Sequence, residues 1–158
     1  MRNRPKKSEV ARIERNGSRV DNDGFARRRL PTAAAMDVIN LADAPPFTTK
    51  DGSEIRELLA HRNSAIRNQS LAEARLPPGA ATEPHFHPQC EEIYYLLEGR
   101  GRMQVEDDVR EVGPGDAIAI PPGAKHQITT LGDVPLRFLC CCAPAYEHDD
   151  TVMVDNWP

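Results

Sequence analysis

His85 and His87 stand two residues apart in the stretch G-A-A-T-E-P-H-F-H-P-Q-C-E-E-I-Y-Y-L-L-E-G, residues 79–99. On an extended strand alternate side chains share a face, so both imidazoles point the same way. Two carboxylates, Glu91 and Glu92, follow a short connection that begins at Pro88. Imidazole and carboxylate together are the ligand set of a borderline first-row transition metal. The chemistry to expect here is that of an ion-binding site, and the rest of the chain must be able to position it.

The elements available for that are short. Between residues 36 and 69 the chain reads as an extended N-terminal segment with edge strands: Pro45-Pro46 leads in, Asp51-Gly52 is a turn signal, and 53–59 follows as a strand. His61, in the connection after it, is assigned no role. Residues 70–142 read as a barrel. Strands are expected at 70–76, around 83–88 and 92–98, at 117–120, 126–130 and 136–142, with a hairpin of 102–106 and 109–112 around Asp107-Asp108. Glycine and proline punctuate them, and almost no helical period is present, which argues for an all-β sandwich or barrel. Residues 143–158 read as a C-terminal tail, in which His148-Asp149-Asp150 is expected to be solvated.

Composition bounds the rest. A chain of 158 residues is long enough for one domain with a core. No apolar run approaches the length that crosses a bilayer, and the charged start is not followed by an apolar segment. The expectation is a cytoplasmic protein without membrane partners. Cys90 and the consecutive Cys140, Cys141 and Cys142 do not form a disulfide framework, because neighbours on a strand alternate faces. Reduced thiols fit the same compartment; the run of three reads as small apolar filler of a strand, ahead of the alternative that it supplies one inward thiol near the ion site.

The net charge of −4 divides unevenly. Residues 1–35 carry ten lysines and arginines against four acids, and the remainder carries ten against twenty. The first segment has few large apolar residues and no sustained period, so a disordered basic tail is expected. Arg27, Arg28 and Arg29 could touch nucleic acid. The segment is too short for a separate DNA-binding domain, however, and nucleic acid is not expected as a partner.

Two spaced motifs now bring in a resemblance. A glycine, five residues, His-x-His, four residues, Glu, six residues and Gly runs through Gly79, His85, His87, Glu92 and Gly99. A second glycine, five residues, Pro-x-Gly, two residues and His runs through Gly115, Pro121, Gly123 and His126, with Thr130 where an Asn often follows. Over residues 70–142 the sequence resembles the cupin superfamily. Within it the chain looks like the short bacterial cupins grouped with mannose-6-phosphate isomerases and with oxygenases. The resemblance implies a jelly-roll β-barrel with a divalent transition metal (Fe, Mn, Ni, Co or Zn) held by His85, His87, Glu92 and His126. The count of six residues to Gly99 is what selects Glu92 over Glu91. Strand parity then turns Glu92, Tyr94 and Leu96 inward, with Ile93, Tyr95 and Leu97 outward, and turns Ile128 and Thr130 inward with His126.

Function follows as expectation. Four protein ligands leave an octahedral ion two neighbouring positions, so the chain reads as a metalloenzyme for a small oxygen-bearing molecule chelated at an open His3Glu site. Tyr94 is the candidate catalytic residue, donating a hydrogen bond to a substrate oxygen. Oxygenase chemistry ranks first, because neither motif holds a lysine or further carboxylate as a proton shuttle. A sugar-phosphate-type isomerase and a non-catalytic binding or sensing module are the alternatives. The apolar outward face of Ile93, Tyr95 and Leu97 points to a homodimer.

Overall fold

Apolar and polar side chains alternate along short segments, giving each one face to bury and one to leave wet, and antiparallel sheets accommodate that pattern. The computed structural model describes residues 36–155 and Trp157. The basic segment 1–35 lies outside the described residues. Among the described residues there is no α-helix. The strands are β1 (Phe47–Thr48), β2 (Glu54–Leu59), β3 (Ser70–Leu76), β4 (His85–Phe86), β5 (Glu91–Glu98) and β6 (Arg100–Val105). They continue as β7 (Asp108–Val112), β8 (Ala117–Ile120), β9 (His126–Leu131), β10 (Leu136–Ala143) and β11 (Val152–Met153). One sheet runs β1-β2-β3-β10-β5-β8 and the other β11-β4-β9-β6-β7, all neighbours antiparallel. This is the all-β jelly-roll barrel expected.

The inward faces of both sheets meet in one core. Leu76, Tyr94, Leu96 and Phe138 come from the first sheet, Met103 and Ile128 from the second, and all are buried. Along β5 exposure alternates strictly, with Glu92, Tyr94 and Leu96 buried and Ile93, Tyr95 and Leu97 exposed. On β9 the buried positions are His126, Ile128 and Thr130. The strand expected at 53–59 is observed as β2 from Glu54, held by pairing with β3 from Glu54↔Arg75 to Leu59↔Leu71.

Three details position the site. Gly99 joins β5 to β6 at φ 78°, and a Cβ there would stand 2.5 Å from the Pro135 carbonyl oxygen, so neither the conformation nor the space admits a side chain. β4 is only two residues long, far shorter than the 83–88 expected from sequence, because its neighbours pair with it so briefly: β9 at His85↔His126 alone, and β11 at Val152↔Phe86 and Met153↔His85. The segment read as a C-terminal tail thus supplies a strand against the histidine-bearing one. Within it, Asp150 is not merely solvated: its Oδ2 accepts the backbone N–H groups of Gln89 at 3.3 Å and Cys90 at 3.1 Å, pinning the loop that leads from His87 to Glu92.

Candidate metal centre

His85 on β4 and His126 on β9 are cross-strand partners, and their ring centroids are 4.2 Å apart. His87 follows β4 directly, 5.2 Å from His85 and 5.6 Å from His126, centroid to centroid. Glu92 reaches in from β5 of the other sheet, so the cluster bridges the two layers. All four are buried, and Glu91 is exposed. The structure therefore brings together the four residues named from the motifs and leaves out the neighbouring acid.

The donor set fits a metal ion. One ligand atom from each histidine lies within 4.8 Å of the others. Glu92 Oε2 stands 3.5 Å from His87 Nε2 and 3.6 Å from His126 Nε2. Ligands that each sit about 2.1 Å from one ion are about 3 to 4 Å from one another, which is the spacing seen. His85 Nδ1 pairs with the Glu83 carbonyl at 2.7 Å and His126 Nδ1 with the Ala124 carbonyl at 3.0 Å. An Nδ1–H given to a carbonyl leaves Nε2 unprotonated as the ligand atom. Glu92 Oε2 and His126 Nε2 are buried with no hydrogen-bond partner, a costly state that an ion would relieve.

Electrostatics agree with geometry. Burial pushes His85 down to about 4, the nearby His126 acting in the same direction, so its imidazole is neutral at pH 7. Burial also disfavours a charged His87, but the Glu92 carboxylate outweighs it and the net shift is upward. Burial would raise Glu92; the His126 and His87 imidazoles instead hold it well below the usual carboxylate range.

The cluster opens on a cavity of about 50 Å³, lined among others by His85, His87, Glu92 and Tyr94. That is room for a few waters or the polar head of a small ligand. Tyr94 packs 4.5 Å from the Phe138 ring and 5.9 Å from His126, and burial pushes its phenol well above the ordinary range, so it is a protonated donor. Further lining residues were not assigned to the site from the sequence. Cys140 and Cys142 both face the cavity, and Cys142 Sγ donates to Glu92 Oε1 at 3.3 Å. The inward thiols of the cysteine run are therefore more than filler, since one of them touches a residue of the cluster. Tyr146, from the supposed tail, stands 6.0 Å from His87. Asp51 comes from the β1–β2 turn. No local signal marks either; the Asp51-Gly52 pair reads only as a turn.

A cupin-domain family profile matches residues 72–142. An uncharacterized protein of Methanocaldococcus jannaschii is 50% identical over 110 residues, covering 70% of this chain and 88% of the relative. The chain belongs to the cupin family. This cupin is also similar in structure to the polyketide cyclase RemF of Streptomyces resistomycificus, at TM-score 0.64 and 28% identity, covering 76% of this chain and 86% of RemF. Against oxalate decarboxylase of Bacillus subtilis the TM-score is 0.67 at 25% identity, covering 80% of the cupin but 34% of the decarboxylase.

Proposed function

We propose that this cupin is a metal-dependent enzyme for a small organic molecule that presents neighbouring oxygen atoms to a divalent transition metal held by His85, His87, Glu92 and His126. The observation that carries the proposal is the convergence of three imidazoles and one carboxylate, three of their buried atoms without partners, beside a cavity that His85, His87 and Glu92 line. Such an ion, when bound, supplies Lewis acidity to an oxygen of the substrate and, if it is iron, access to dioxygen chemistry. The chain's own residues do the rest. Backbone carbonyls at Glu83 and Ala124 fix the ring orientations of His85 and His126, Cys142 orients Glu92, and Tyr94 offers a phenol O–H to a substrate oxygen. The apolar lining from Ile55, Ala74 and Phe138 limits water.

The likeness to a polyketide cyclase and to oxalate decarboxylase supports an oxygen-dense substrate, since polyketides and oxalate both carry closely spaced oxygens. On the two motifs alone, oxygenase chemistry precedes isomerase chemistry. A binding or sensing module is the reading from another class, and the cavity beside the cluster speaks for catalysis over it. The exposed Ile93, Tyr95 and Leu97 support a homodimer.

Metal analysis of the purified protein tests the assignment: wild type is expected to hold about one ion per chain, and His87→Ala and Glu92→Ala to lose most of it. Equal metal content in all three proteins would sink it. Oxygen uptake by the iron-loaded protein, screened against catechols and β-diketones, tests the oxygenase class. Uptake no faster than that of the metal-free protein removes it.

A further inference from the structure

Asp51 occupies the turn between β1 and β2, where Gly52 takes φ 85° and its N–H donates to the Thr49 carbonyl at 3.0 Å. An aspartate in a tight turn ordinarily serves the turn and faces water. Asp51 is only 7% exposed, and it lines the cavity together with His85, His87 and Glu92. Its Oδ1 is saturated, accepting from the Thr49 hydroxyl, the Ser53 hydroxyl at 2.8 Å and the Ser53 N–H at 3.3 Å. Its Oδ2 has only a share of the Ser53 hydroxyl, at 3.1 Å. Among the described residues no lysine, arginine or histidine forms an ion pair with it. The adjacent Lys50 instead donates to the carbonyls of His148 and Thr151, at 2.7 and 3.2 Å. The Asp51 carbonyl accepts the Glu83 N–H at 2.7 Å, two residues before His85, which ties this turn to the lead-in of β4.

A buried carboxylate with no cation is expensive. Anchoring one oxygen by three donors while the other is left underused suits a group that serves something in the cavity, and such groups in clefts are candidates for acid–base work. We propose that Asp51 is the acid–base residue of this site, taking a proton from a substrate held at the four-residue centre and returning it to another atom of the same molecule. The inference rests on the metal-centre reading above. In the step, Oδ2 forms an O–H bond with a hydrogen on the carbon next to a carbonyl. That C–H bond breaks, its electron pair becomes a C=C bond, and the carbonyl π pair moves onto oxygen. Return of the proton to the enolate oxygen gives the enol; for an α-hydroxycarbonyl, return to the former carbonyl carbon, with the hydroxyl proton passing to the enolate oxygen, gives the isomer. Either way the carboxylate is restored, with no net oxidation or reduction and no co-reactant consumed. The substrate class is therefore an enolisable α-hydroxycarbonyl or β-dicarbonyl compound, and redox-neutral chemistry moves ahead of the oxygenase order drawn from the motifs.

The test is calorimetry of acetohydroxamate binding to the zinc-loaded full chain, in buffers of different ionisation enthalpy, which counts protons released. A hydroxamic acid gives up its proton on binding an ion. With Asp51 as acceptor, wild type releases almost none. Asp51→Asn, which keeps Oδ1 for Thr49 and Ser53, releases about one per site at unchanged zinc content and melting temperature. Asp51→Glu restores the wild-type result. A role confined to closing the turn predicts equal release by wild type and Asp51→Asn, and that result overturns the proposal. Release of about one proton by wild type overturns it without any variant. Zinc-loaded protein that fails to bind acetohydroxamate sinks the reading of an open centre, and the role of Asp51 falls with it.

Discussion

Protonation and one sulfur hydrogen bond govern the four polar side chains of the centre. Burial holds His85 down to about 4, against an ordinary value of 6.5. Between those values the unfolded chain binds a proton that the folded chain refuses. The stability tied to His85 in metal-free protein is therefore fully present above pH 6.5 and is lost as pH falls toward 4. The loss amounts to about 3 kcal/mol. His87, raised by Glu92 in spite of burial, acts in the opposite sense, contributing below pH 6.5 and losing its contribution as pH rises. Urea unfolding of metal-free wild type and His85→Asn between pH 7 and 4 should therefore show the steeper decline in wild type; parallel curves would contradict the assignment. Cys142 supplies a second test. Its thiol donates to Glu92 Oε1, and removing a partner that orients a ligand costs about 10- to 100-fold in metal affinity. Cys142→Ala should lose that much in competition with a chelating dye, while Cys142→Ser, which keeps a donor, should lose little.

Among the elements, the joint between β5 and β6 is the one with no room for a side chain. Gly99 holds φ 78° with a carbonyl oxygen 2.5 Å from where a Cβ would sit, whereas Gly132 holds φ 79° with open space around it. The left-handed conformation alone costs an L-residue about 1 to 2 kcal/mol. Gly132→Ala should lose about that much, and Gly99→Ala, which must also shift the Pro135 backbone, about 3 kcal/mol or more. Urea midpoints of the two variants measure the difference. Equal losses would mean that the close approach to Pro135 does not constrain this joint. Strand parity was legible in the sequence because each side chain's facing follows from its neighbours: Glu92, Tyr94 and Leu96 turn inward on β5 as expected, as do Ile128 and Thr130 on β9. The pairing of β11 with β4 was not, since two residues, Val152 and Met153, carry no period and become a strand only by meeting Phe86 and His85.

At the scale of the whole molecule, the outer face of the larger sheet is apolar along β5. Ile93, Tyr95 and Leu97 are 47%, 42% and 39% exposed in a row on β5, an apolar stripe that water disfavours. The proposed dimer buries it. Light scattering after gel filtration should give a dimer mass for wild type and a monomer mass for a Tyr95→Glu, Leu97→Glu double variant. A monomeric wild type would remove the dimer from the proposal.

Chain order alone determined the cupin barrel and the four polar residues at its centre. The two motifs specify residue type and spacing on strands, where facing is a local matter of alternation, and a turn glycine fixes the count to Glu92. Only the tertiary structure decided what stands around that centre. Asp51 in a turn, Cys142 in an apolar run and Tyr146 in an apparent tail lie respectively 41, 50 and 54 positions from Glu92 in sequence, and each looks locally like something else. They line the cavity beside the histidines because the two sheets close on one another, an outcome of packing over the whole core that no local period records.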